Sequence, residues 1–433
     1  MINHFKNPGC VAKQFTGCMQ AGLFIQIRDK IKNHCLFVIS CILVFFSCLC
    51  SSSTKPSIQY DYQGAVAMLK VIQAIHDQQD KDTVERLLDH ALELEAYQIC
   101  NERYNNPGRA QNNRVPLSQY KKFMLSLLGD SVDTQGNRRI GFLKDLYVDA
   151  VKNPKKYGEA VERVKSITDS RIQKSLETAL HWLPEGIEIN ANIIVLFDIG
   201  GGAWIQQTGD GRNHTGFNIL LLLDENDKFD QGNFLGTLAH ELHHIGIPVE
   251  RYFDSIRYES LEDTSRLKIY TEYIRHMITE GLAQKFCSNA PGRLSSRPYP
   301  EKKFAAIERA RQNWTYFMSE FEDIHKRAID DLNRILKDKV NNPEEFMSAY
   351  TNYWTWHAGR NEKKDFVLGR RYYYGSELLG VINDGLGREA LFEVIYDFRN
   401  LLPLYNEGLM TLKPEGYRQY LFPEDLVNRI RKL

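Results

Sequence analysis

From residue 58 onward, apolar positions recur at helical spacing. Ala65, Met68, Leu69, Ile72 and Ile75 form one stripe and Val84, Leu87, Leu88, Ala91, Leu92 and Leu94 a second, with similar stripes over residues 120–128 and 140–151. Steps of three and four residues put such side chains on one helix face, so residues 58–182 read as a helical lobe. The pattern breaks at the turn signal Leu183-Pro184-Glu185-Gly186. Residues 187–197 and 216–223 are then short, apolar and β-rich, which predicts two strands. Between them, Gly200-Gly201-Gly202 and Asp210-Gly211-Arg212-Asn213 lack the Gly-Lys-Ser/Thr ending of a phosphate loop and read as a hairpin connection. From Gly232 the chain is helical again, broken by a Pro/Ser-rich loop over 289–300.

Composition adds a body of ordinary globular character, 43% apolar and 25% charged over 433 residues. Lys+Arg and Asp+Glu both total 55, so there is no basic field to hold nucleic acid. The first 50 residues differ from the rest. Arg28, Lys30 and Lys32 precede an apolar run from Leu36 that ends in a Ser-rich stretch after Cys50, the order of an export signal. A membrane-spanning helix needs about 20 apolar residues and this run is shorter. Cys10, Cys18, Cys35, Cys41, Cys48 and Cys50 all lie here, which leaves Cys100 and Cys287 for the globular part and no disulfide framework. Phe45-Phe46-Ser47-Cys48 resembles a relaxed bacterial lipobox. The expectation is an exported protein of the bacterial cell envelope, lipid-anchored at Cys48 or Cys50, or else a cleaved periplasmic or secreted form. The long stretch before Arg28 leaves an internal start, Met19 for example, as the alternative.

The candidate chemistry is concentrated in Leu235-Gly-Thr-Leu-Ala-His240-Glu241-Leu242-His243-His244-Ile245-Gly246. Two histidines four apart on a helix project from one side and can share a metal ion. Leu235, Leu238, Ala239, Leu242 and Ile245 form the apolar stripe of that helix, and His240 and His244 fall opposite it. A catalytic zinc commonly takes three protein ligands. One candidate for the third is Glu250, but the spacing that would make it a ligand wants glycine at Ile247. The other is Glu280, on a helix through 274–286, where it interrupts a mostly uncharged face and precedes Gly281, a place for a close helix crossing. Glu280 is the better fit.

His240-Glu-Leu-His-His244 followed by Thr279-Glu280-Gly-Leu-Ala resembles the gluzincin metallopeptidases, most of all small bacterial families of zinc-dependent peptidases, over roughly residues 183–400. The resemblance implies that His240, His244 and Glu280 bind Zn2+ and that Glu241 is the general base. It also implies that the strand over 213–223 aligns a peptide or protein substrate, which a zinc-activated water hydrolyses. In related aminopeptidases a Tyr-x-x-Gly pattern supplies an oxyanion-stabilising tyrosine. Tyr372-Tyr373-Tyr374-Gly375 is similar, and Tyr372 matches by spacing, with Tyr373 and Tyr374 as alternatives. No Gly-x-Met-Glu-Asn aminopeptidase signature is present. The fold expected is α+β, a zincin-like core at 183–290 with a small, mainly antiparallel sheet and two metal-bearing helices. A helical N-terminal lobe at 51–182 and a helical C-terminal lobe at 291–433 flank it, after a signal at 1–50. The alternative function is a non-catalytic envelope lipoprotein whose zinc site is structural or vestigial, against which the retained Glu241 argues.

Other constellations carry less. Cys287 with His276 reads as a buried thiol near an unrelated histidine, His243 as a packing residue or one that supports the ligands, and His357 as part of an aromatic cluster. Arg370-Arg371 is too short for a polyanion patch.

Overall fold

The computed structural model describes residues 58–107, 114–129, 131–134, 136–224, 226–247, 262, 265–296, 308–337, 342–356 and 369–433. The segment expected to be an export signal, with Cys48 and Cys50, the alternative ligand Glu250, and His357 lie outside the described residues.

The helical stripes near the start become α1 (Gln63–His76), α2 (Lys81–Glu93), α3 (Glu95–Asn105), α4 (Leu117–Ser126), α5 (Arg138–Lys152), α6 (Pro154–Lys165) and α7 (Asp169–His181). Their apolar faces are buried, among them Ala65, Met68, Ile72 and Ile75 of α1 and Val84, Leu88 and Ala91 of α2. α2 and α5 start on side-chain caps: Asp80 takes the Thr83 N–H at 2.9 Å and Asn137 the Arg139 N–H at 2.9 Å.

The described chain opens on a strand, however, and not on a helix. β1 (Ile58–Asp61) pairs in parallel with β2 (Ala191–Leu196), Ile58 opposite Ala191. With β3 (Trp204–Gln207) and β4 (Asn213–Asn218) they form one sheet in the order β1-β2-β4-β3. The β1–β2 and β2–β4 pairs are parallel, and β3–β4 is antiparallel. The sheet is therefore mixed, which corrects the expectation of a mainly antiparallel one. Parallel neighbours require a crossover of a dozen or more residues, so the segment between β2 and β4 is a crossover that carries β3. The tight turn falls inside it, where the Gly211 N–H reaches the Thr208 carbonyl at 2.8 Å and Gly211 takes φ +83°. β4 also ends earlier than the apolar run suggests. The Asn218 side chain accepts from the N–H groups of Leu220 at 3.1 Å and Asp198 at 3.2 Å, and Ile219–Leu221 coil into a 3₁₀ turn.

α8 (Gln231–Gly246) starts at Asp230, whose side chain accepts from the Asn233 N–H at 3.0 Å. Phe234, Leu238 and Leu242 make its buried face, which packs on α7, β3 and β4. α9 (Arg266–Leu282) is capped by Ser265 and runs on as a π-helical turn, Ala283–Cys287. α10 (Glu308–Ser319), α11 (Phe321–Leu336) and α12 (Pro343–Tyr350) follow, then α13 (Arg370–Leu386), α14 (Arg388–Tyr396), α15 (Leu401–Leu412) and α16 (Glu424–Arg431). α13 lies between α9 and α15. Where α9 and α13 cross, a Cβ on Gly281 would stand 2.4 Å from the Gly375 carbonyl carbon, so the two backbones touch. The result is a mostly helical α+β body in which Pro56–Leu433 forms one compact unit. No described helix is long and apolar enough to cross a membrane.

Candidate metal centre

α8 and α9 bring three donor atoms to one point. His240 Nε2 and His244 Nε2 are 3.0 Å apart, and Glu280 Oε2 lies 3.5 Å from the first and 3.1 Å from the second. Donors at about 2.0–2.1 Å from a tetrahedral zinc lie about 3.3–3.5 Å from one another. The observed triangle therefore fits zinc closely, with the donor set that zinc prefers. All three side chains are largely buried, at 8%, 14% and 16% exposure, so the apolar stripe of α8 faces the core while its histidines face α9.

The surroundings orient these groups. The second nitrogen of His240, Nδ1, meets Ser288 Oγ at 3.3 Å, which fixes the ring and leaves Nε2 for the metal. Burial pushes the Glu280 carboxyl up, but His244 and His240 outweigh it and hold the group well below its ordinary range. Burial depresses His244 while Glu280 more than restores it, so its value is raised. Glu241 is buried beside the triad. Burial pushes its carboxyl up, the two histidines pull it down and Glu280 adds to the rise.

Of the three tyrosines opening α13, the structure turns Tyr372 to the site. Its hydroxyl is 3.4 Å from an Arg371 Nη2, and the same nitrogen is 3.9 Å from Glu280 Oε1. Burial, then Glu280, raise the Tyr372 hydroxyl well above its usual value, which keeps it a proton donor. Tyr373 stacks on Phe317 and meets Trp314 and Phe321 edge-on, and the Tyr374 hydroxyl bonds His325 Nδ1 at 2.9 Å. Neither faces the triad.

His243 points elsewhere. It is wholly buried, its Nε2–H donates to the Trp182 carbonyl at 3.3 Å, and burial pushes its pKa down to about 3. Cys287 is a buried thiol in no disulfide, and His276 meets Arg275 Nη2 at 3.5 Å. The Gly200-Gly201-Gly202 segment is structural: the Gly200 carbonyl accepts from Arg139 at 2.9 Å and its N–H donates to Asp198 at 2.6 Å. The strand expected to align substrate is an interior one, paired with β2 on one side and β3 on the other; the sheet edge nearest α8 belongs to β3. Residues the sequence reading missed are Ser288, Arg371 and Arg103, the last being a cation that acts on Glu241. Arg371 was visible as half of a charge pair, but its partners lie on another helix. Ser288 carries no local signal.

A buried His-Glu-x-x-His helix joined by a carboxylate from a second helix is the donor arrangement of a zinc hydrolase. The chain belongs to the family described as "Putative zinc dependent peptidase (DUF5700)", whose model matches residues 88–411 and so spans the triad, Glu241 and Tyr372. No curated protein and no solved structure gives a significant match.

Proposed function

We propose that the protein is a gluzincin-type zinc peptidase that hydrolyses peptide bonds at the His240–His244–Glu280 centre. The observation that carries this is the 3.0, 3.1 and 3.5 Å donor triangle with Glu241 buried against it. His240, His244 and Glu280 would hold the ion, and when bound it would polarise the substrate carbonyl and make water acidic enough to attack near neutral pH. Glu241, one residue past His240 and turned about 100° from it on the helix, would take the proton of the attacking water and pass it to the leaving amine. The Tyr372 hydroxyl would donate a hydrogen bond to the oxyanion as it develops. β3, the edge strand beside α8, would align the peptide by main-chain pairing.

The test separates binding from catalysis. The purified protein should carry about one zinc per chain, and His240→Ala, His244→Ala and Glu280→Ala should each remove most of it. Glu241→Gln should keep the metal and the wild-type melting temperature while turnover falls by about 10²–10⁴. An active Glu241→Gln protein would exclude this mechanism. A zinc-loaded wild type that cleaves nothing in a broad peptide screen would favour the non-catalytic alternative.

A further inference from the structure

Two arginines act on the site, Arg103 on Glu241 and Arg371 on His244 and Tyr372. Arg371 is not alone there. Arg275, five residues before Glu280 on α9, is paired with Glu272 at 3.2 Å, and both arginines act on His276 and on Tyr350. The Tyr350 hydroxyl is buried against Arg371, whose side chain it meets.

The placement of Arg371 runs against local preference. It sits in the first turn of α13 with Arg370 beside it, and no acidic residue offsets them in that turn. A helix N-terminus carries partial positive charge and disfavours cations. Arg370 has a packing reason to be there, since its guanidinium lies 4.5 Å from the Tyr353 ring centroid and donates to the Tyr353 carbonyl at 3.2 Å. Arg371 instead turns inward, 15% exposed, with its guanidinium between Tyr372 and a metal ligand. Helix terminus, guanidinium and the buried hydroxyl beside it together suit an anion, and a planar guanidinium matches a carboxylate best.

We propose that Arg371, backed by Arg275 and Tyr350, receives a carboxylate of the substrate, so that the protein acts on peptides bearing that group beside the scissile bond. Cleavage beside the carboxylate rests on the peptidase reading, whereas capture of the carboxylate by Arg371 does not. Arg371 Nη2 is 3.9 Å from Glu280 Oε1, and an extended chain advances about 3.3–3.6 Å per residue, so the carboxylate belongs one or two residues from the carbonyl under attack. It is either the C-terminal α-carboxylate or an acidic side chain.

The test measures binding and cleavage in parallel. Zinc-loaded Glu241→Gln protein is titrated by calorimetry with acetyl-Ala-Ala-Ala as free acid and as C-terminal amide, and with acetyl-Ala-Ala-Glu-amide against acetyl-Ala-Ala-Gln-amide. One carboxylate peptide should bind about 10- to 100-fold tighter than its neutral partner, the range for a hydrogen bond to a charged group. A preference for the free acid identifies the α-carboxylate, and a preference for Glu over Gln identifies a side chain. Arg371→Gln should abolish the preference with zinc retained, and Arg275→Gln and Tyr350→Phe should each reduce it. Equal binding of charged and neutral peptides, or a preference that survives Arg371→Gln, overturns the proposal. Wild-type cleavage without carboxylate preference overturns this inference alone, whereas carboxylate binding without cleavage by the wild type counts against the peptidase reading and leaves the inference standing.

Discussion

At the scale of single residues, what was legible depended on whether chemistry and geometry are fixed by the same short segment. His240, Glu241 and His244 stand out because helical periodicity sets their relation within five residues. Tyr372, Tyr373 and Tyr374 could not be separated by type, yet successive helical residues point about 100° apart, so one at most could face the metal site. Tyr372 does so because it lies three residues before Gly375, on the face that crosses α9. Ser288 and Arg371 were illegible as site residues because each meets its partner across an interface that no local pattern encodes. The three tyrosines now make different predictions. Tyr372→Phe should lower turnover by about 10² with zinc content and melting temperature unchanged, as expected for one lost oxyanion donor. Tyr374→Phe should leave turnover intact and cost about 1 kcal/mol of stability through its lost bond to His325. Steady-state kinetics and denaturant unfolding of both variants decide this, and full activity in Tyr372→Phe would remove it from the mechanism.

Among the elements, the helices were readable and the sheet was not. Apolar stripes give helices directly, whereas parallel pairing, the four-residue β1 and the crossover bearing β3 follow from contacts between distant segments. The crossing of α9 and α13 is a case where sequence pointed to the right place: Glu280-Gly281 marked a close approach, and Gly375 on the partner helix completes it. A Cβ on Gly375 would fall 1.9 Å from the Met277 carbonyl oxygen, a position no side chain can share with backbone. In an exposed helix, Gly→Ala stabilises by about 1 kcal/mol. Here the sign should reverse. Gly375→Ala must push α13 off α9, with an overpacking cost of about 1–3 kcal/mol, and because α9 carries Glu280 and α13 carries Tyr372, zinc affinity and turnover should fall together. Chelator competition and denaturant unfolding measure both, and a Gly375→Ala protein as stable as wild type would show that the crossing is looser than this.

Across the whole molecule, Asp198 fastens the early helices to the sheet. It follows β2, is wholly buried, and its carboxylate accepts from Trp204 Nε1 at 2.5 Å, the Gly200 N–H at 2.6 Å, Tyr104 at 3.4 Å and Cys100 Sγ at 3.6 Å. Its backbone carbonyl takes the Tyr147 hydroxyl at 2.9 Å, so α3, α5, the crossover and β3 all meet at one residue. Arg103, adjacent to Tyr104 on α3, lies 6.0 Å from the Trp204 ring and acts on Glu241, which links this knot to the metal centre. Burial pushes the Asp198 pKa up to about 6, with Trp204, Gly200, Cys100 and Tyr104 pulling against it. The folded chain therefore holds this proton more tightly than the unfolded one, whose value is near 3.8. The stability tied to the proton is fully present below about pH 4, is lost as pH rises through about 6, and amounts to something on the order of 3 kcal/mol. Paired carboxylates such as Asp149, held low by Lys156 and Tyr157 against burial, work in the opposite direction, so the whole-protein curve alone does not isolate Asp198. Asp198→Asn does, because asparagine cannot titrate. Denaturant unfolding of metal-free wild type and Asp198→Asn across pH 4 to 7 keeps ligand protonation at the zinc site out of the comparison. The stability of wild type relative to the variant should fall steadily over that range and level off near pH 7, and a difference independent of pH would show that Asp198 is ionised throughout.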